Sequence, residues 1–171
     1  MRTLRLSLAG TVILALLGGL SVVIVAQDAV EPAVWVTGTD VDCSVEVGPE
    51  VSDDGEVHSY RGMGLLCTAE MSDPRMSGVA TKVYNEDCFS EWPCVYWGTH
   101  EIVGPDGTWV GAHAGTHDPE QRANSYIVYT GAEAYEGLAF VGRGLGEPGE
   151  PGTTEGVIYR GDPPPMPTAI E

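Results

Sequence analysis

A single lysine, and only eight Lys and Arg together against 25 acids, leave this 171-residue chain at a formal charge of −17. Such a field repels phosphate backbones and anionic lipid, which excludes recognition of nucleic acid or membrane through a basic patch. Sustained 3.6-residue apolar periodicity is missing beyond residue 30, which argues against a helical bundle. Also absent are a G-x-S-x-G elbow, a P-loop, an HExxH helix and a dinucleotide fingerprint. No motif calls for a cofactor or a metal. Disorder is excluded as well, because Trp, Tyr, Val and Ile recur through the middle of the chain.

What is present begins with an address. Arg2 and Arg5 precede Leu6 to Ala26, a stretch of about 21 apolar and small residues without a charge. A basic start followed by an apolar run reads as an export signal cleaved after Ala26. Gly18, Gly19 and Ser21 favour that reading, although Ile24 is a poor residue three positions before the cut. The same run is long enough to span a bilayer, so an uncleaved anchor with its basic end inside is the competing reading. Either places the domain extracellularly or in the cell envelope, with membrane contact only through an uncleaved N-terminal segment. The expected layout is a signal peptide or anchor over 1–26, one domain over 27–161, and a Pro-rich flexible tail over 162–171.

All four cysteines, Cys43, Cys67, Cys88 and Cys94, lie beyond the leader, and an even count in an exported chain favours disulfides. Cys88 and Cys94 flank a short turn that can bring two strand ends together. Of the three connectivities, Cys88–Cys94 with Cys43–Cys67 is favoured. A zinc site needs tighter pairs such as C-x2-C, and neither pair has that spacing.

Alternation and turn signals organise the rest. Val34–Val36 opens a strand, and Val41–Val47 alternates. Asp53-Asp54-Gly55-Glu56 reads as an acidic hairpin turn, its calcium reading weakened by the lack of alternating acids. Further strands are expected at 58–69, 77–84, 94–103, 108–116, 125–130, 135–142 and 156–159, with Gly104-Pro105-Asp106-Gly107 as a second tight turn. The Gly-Glu-Pro repeat at 146–152 reads as a hairpin loop. The sum is an all-β chain of about eight or nine short antiparallel strands, a sandwich or barrel.

Glycine selects between the two. Gly107, Gly111 and Gly115 share a strand face with Trp109 and His113, and Gly131, Gly137, Gly142 and Gly144 surround Tyr135 and Phe140. Repeated Gly beside large aromatics suits a small closed barrel, whose strands coil and whose bulky side chains fill the vacated space. The run Gly131-Ala132-Glu133-Ala134-Tyr135-Glu136-Gly137-Leu138 resembles the G-x-G-x-[YF]-x-G element of allene oxide cyclase-like and dirigent-like barrels. Gly107–Gly111, Ser72–Gly78 and Gly161–Pro165 are similar to segments of uncharacterised exported bacterial members of that group. Glu133 stands where the pattern has its second Gly, and His113 where another aromatic is expected. The resemblance implies an up-and-down barrel of eight strands and lipocalin-like shape. It carries no catalytic residue across.

Candidate chemistry is sparse. His113 and His117 lie four apart, but on a strand that spacing separates them by about 13 Å, so they share a metal only if the strand ends between them. His113 and Trp109 project to one side, where a lumenal His could exchange protons near neutral pH. Glu101, Glu133 and Glu136 are candidate acids, and Tyr96, Tyr126 and Tyr135 candidate phenol donors. Glu133 and Glu136 have opposite parity and do not form a carboxylate pair. Arg75 is expected to order its loop by pairing with Asp73. The leading expectation is a non-catalytic binder of a small apolar ligand in the barrel mouth, using Trp109, His113, Tyr126 and Tyr135. The alternatives are an isomerase or cyclase of an apolar substrate in that lumen, and a membrane-anchored surface interaction domain with a solid barrel.

Overall fold

The computed structural model describes residues 32–90 and 93–165. The leader, the cleavage point after Ala26 and the tail beyond Pro165 lie outside the described residues. Nine antiparallel strands form one sheet: β1 (Val34–Val47), β2 (Glu50–Asp53), β3 (Val57–Met71), β4 (Gly78–Phe89), β5 (Cys94–Val103), β6 (Gly107–His117), β7 (Ala123–Glu133), β8 (Leu138–Gly146) and β9 (Thr153–Arg160). The spatial order is β1-β9-β8-β7-β6-β5-β4-β3-β2, and β1 also pairs with β3. That extra pairing closes the ring, so the chain is an up-and-down barrel of eight strands. Strand β2 is a short extra piece on the edge of β3 that β1 has left. Among the described residues the only helical element is a 3-10 turn, Pro74–Met76, and no helix is long and apolar enough to cross a membrane.

Local chemistry explains the connections. At the β2–β3 hairpin the Asp54 carboxylate accepts from the amides of Glu56 and Val57, and Gly55 takes φ +91°. Gly104 N–H donates to the Gly107 carbonyl across the β5–β6 turn at 2.9 Å. Asp73 caps the 3-10 turn by accepting from the Arg75 amide, and it pairs with the Arg75 guanidinium at 2.7 Å, as expected.

The expected segments 34–36 and 41–47 are one strand, bent by a bulge at Asp42 (φ +52°). The expected strand from Tyr135 begins at Leu138 instead. Residues 134–137 form a turn closed by Tyr135 N–H to Ala132 O and Leu138 N–H to Tyr135 O, with Gly137 at φ +79°. Parity therefore does not apply to Glu136, and Glu133 ends its strand at φ +58°.

Both disulfides pair as favoured. Cys43–Cys67 ties β1 to β3, and Cys88–Cys94 ties β4 to β5 at directly opposed positions. Covalent cross-links of this kind belong to an oxidising compartment.

Inside the ring, one end is packed solid. Val36, Ala69, Met76, Ala80, Ile102, Trp109, Tyr135, Leu138, Phe140 and Ile158 form a continuous buried cluster, with Trp109, Met76 and Phe140 wholly inaccessible. Each large side chain in it contributes roughly 2–3 kcal/mol of apolar burial. Trp109 stacks on Tyr135 at 5.4 Å, and its Nε1–H donates to the Arg75 carbonyl at 2.8 Å, so the loops at this end are bolted to the core.

Candidate functional site: a one-ended lumen

The other half of the barrel is hollow. A cavity of about 250 Å³ opens there, lined by residues of β1 and β3–β9. Its size is below the usual range for drug-sized ligands, which limits an occupant to something small. Inward positions alternate along each strand: Lys82 and Tyr84 on β4, Tyr96 and His100 on β5, His113 and His117 on β6, Ser125 and Ile127 on β7.

Glycine makes the room. A Cβ on Gly98, between Tyr96 and His100, would lie 1.8 Å from the Val83 carbonyl oxygen and 2.8 Å from Cε1 of His113. One on Gly111 would lie 1.9 Å from the Val128 carbonyl and 2.5 Å from the Tyr129 ring. Only bare backbone lets the rings of neighbouring strands come this close.

The walls are aromatic. Tyr84 stacks on Tyr96 at 5.3 Å, Tyr96 on His117 at 4.7 Å, and the rings of His100 and His113 are 4.3 Å apart. A hydrogen bond of 2.5 Å joins His100 Nδ1 to the Tyr129 hydroxyl at the floor. Lys82 meets the Asp40 carboxylate in an ion pair whose two side chains are each 17% exposed. His117 Nδ1 bonds Glu86 at 2.6 Å, and the Tyr84 hydroxyl donates to the same carboxylate at 3.3 Å.

Burial decides the protonation of the imidazoles. His113 is 5% exposed, and its pKa is pushed down to about 4, chiefly by desolvation and then by the Lys82 charge. His100 is held well below the ordinary imidazole range by the same two causes, with His113 adding to them. Both are neutral at physiological pH. Tyr84 and Tyr129 are raised by desolvation, with Glu86 and Asp40 respectively adding to it, so both phenols keep their protons. Nδ1 of His113 is buried without any hydrogen-bond partner among the described residues.

The four residues singled out as ligand contacts are dispersed. His113 lines the cavity. Trp109 and Tyr135 belong to the solid end. Tyr126 lies between Ser125 and Ile127, both inward, and so faces out of the barrel. Sequence reasoning passed over Lys82, Tyr84, Glu86, His100 and Tyr129. Their signal was parity, since 82, 84 and 86 alternate on β4 and 96 and 100 share a face of β5. Glu86, Cys88 and Cys94 also converge, but both thiols are consumed by the disulfide, which leaves one carboxylate for a cation.

Comparison of the chain with protein-family models, curated proteins and solved structures returns no match.

Proposed function

We propose that this is an exported, non-catalytic binding module that takes one small, planar, largely apolar ligand into the open end of its barrel. One observation carries the reading: the lumen is solid at one end and hollow at the other, and the hollow end is walled by stacked rings. Neutral imidazoles and phenols offer an apolar face with a polar edge, which suits a flat guest with one or two hydrogen-bonding groups. Export is supported by the two disulfides and by the charge-free run after Arg5. Kinship with the allene oxide cyclase-like and dirigent-like barrels is supported by the eight-stranded up-and-down ring and by the Gly-rich motifs.

Native mass spectrometry of the purified domain tests this directly. The expected result is a non-covalent adduct that is lost on denaturation and raises the melting temperature when added back. Protein that carries no adduct and gains no stability from any small aromatic compound overturns the proposal.

A second reading, isomerisation of an apolar substrate in the same cavity, is favoured by His100 and His113 as neutral acid–base groups within the lumen. Turnover of a trapped ligand into an isomer of identical mass, lost in His100→Phe, distinguishes it from simple binding.

A further inference from the structure

We infer that Lys82 is a covalent capture site, whose amine condenses with the carbonyl of a small aromatic aldehyde or ketone held in the cavity. The inference rests on the binding reading above and names both the ligand class and its point of attachment.

The choice of base is the first pointer. The chain has one lysine and seven arginines. Arginine makes the ion pairs to Asp73, Asp87, Asp118 and Glu155, whereas the lumenal pair to Asp40 is made by the lysine. Where a pair is purely structural, a guanidinium is the better partner for a carboxylate, because its planar fork binds both oxygens. A guanidinium stays protonated and forms no imine, but a primary amine does. The sole lysine of the chain stands inside the cavity, where an amine's chemistry has a guest to act on.

Placement is the second. Lys82 lies on the inward face of β4 beside Tyr84 and lines the hollow end together with Asp40, His100 and His113. A cavity of roughly 150 Å³ already holds a benzene ring. The space of about 250 Å³ here admits one ring with a carbonyl group, walled by Tyr84 and Tyr96.

The step balances without any further reagent. Lys82 Nζ passes one proton along its hydrogen bond to the Asp40 carboxylate and attacks the carbonyl carbon. The C–N bond forms as the C=O π bond opens, and a second Nζ proton moves to the oxygen, giving a carbinolamine. Its hydroxyl leaves as water with the proton from Asp40, and the C=N bond closes. The product iminium faces the Asp40 carboxylate as the ammonium did, so the count of buried charges is unchanged. His100 and His113 line the same cavity, are neutral and feel the Lys82 charge, which suits them to carry the nitrogen proton to oxygen.

Reductive trapping tests this on the purified protein at neutral pH, with benzaldehyde as the probe and cyanoborohydride to reduce the imine. The expected product is an N-benzyl group on Lys82, located by peptide mapping. Its formation should saturate with aldehyde and run at least about tenfold faster in native protein than in the same protein unfolded in urea. Benzyl alcohol, which fits the cavity but cannot condense, should slow the labelling as it fills the site. Lys82→Arg keeps a cation for Asp40, and should lose the adduct while holding benzyl alcohol affinity within about twofold. A melting curve checks the fold of that variant, and the native-against-unfolded comparison does not depend on it. A native rate no greater than the unfolded one, or labelling that benzyl alcohol does not slow, overturns the inference. If benzyl alcohol or benzaldehyde still raises the melting temperature in that case, the pocket reading stands; if neither does, both fall.

Discussion

The imidazoles of His100 and His113 lie 4.3 Å apart inside the barrel, and neither is charged at neutral pH. Burial, more than their mutual proximity, opposes protonation of either ring. Folding therefore excludes protons that the unfolded chain accepts, and stability becomes linked to pH.

The direction follows from the depressed values. Between the ordinary 6.5 and the native value of about 4 for His113, the unfolded chain binds more protons than the folded one. Stability from this source is fully present above about 6.5 and falls as pH drops towards 4. Urea titrations across that window should show a loss of a few kcal/mol, about 1.4 per fully differing proton per pH unit. In His113→Phe the slope should be visibly shallower. An unchanged slope would mean that His113 titrates normally in the native state.

Lys82→Met strands the Asp40 carboxylate in the lumen. The expected cost is about 2–4 kcal/mol, more than an exposed pair would show, because both side chains are largely buried. Combining it with Asp40→Leu should recover most of that loss. A double mutant no better than Lys82→Met alone would show that the pair is not coupled.

Gly98→Ala places a methyl group against the Val83 carbonyl and the His113 ring. The strands must separate there, at roughly 2–3 kcal/mol, and any ligand affinity should fall with the distorted histidine wall. Gly48→Ala is the matched control, since nothing lies within 4 Å of a Cβ at that position. Its melting temperature should stay close to that of the parent.

The two disulfides should differ in weight. Cys43–Cys67 spans 24 residues and joins the strands that complete the ring, whereas Cys88–Cys94 spans only six. Chain-entropy arithmetic gives about 3.5 kcal/mol for the first and about 2.4 for the second. Denaturant unfolding of the paired Cys→Ser variants checks the order, and an inverted order would point to a native-state role for the smaller loop.

Local chemistry was readable in the chain; long-range register was not. Val41–Val47, the Gly104–Gly107 turn and the Cys88–Cys94 pairing follow from patterns a few residues long, Cys43–Cys67 is the pair that then remains, and each is present. The bulges at Asp42 and Gly62 shift the register within β1 and β3, so face assignments cannot be carried across them by alternation alone. Tyr135 looked like a strand residue because aromatics between glycines usually are, yet a turn at 134–137 sends it into the solid end. Which half of the lumen stays hollow depends on contacts such as His100 with Tyr129, 29 residues away, and no short window encodes that. Lys82 stood out only by scarcity. Its meaning waited on Asp40, 42 residues earlier.

A plug of Trp109, Phe140 and Met76 turns the hollow half into a cul-de-sac. On the proposed binding reading, guest and displaced water would share a single doorway, one moving out as the other moves in. A guest would then enter and leave past the connections between β6 and β7 and between β8 and β9. A substitution that narrows that doorway should slow both directions together, leaving occupancy at equilibrium unchanged while lengthening the time each guest stays.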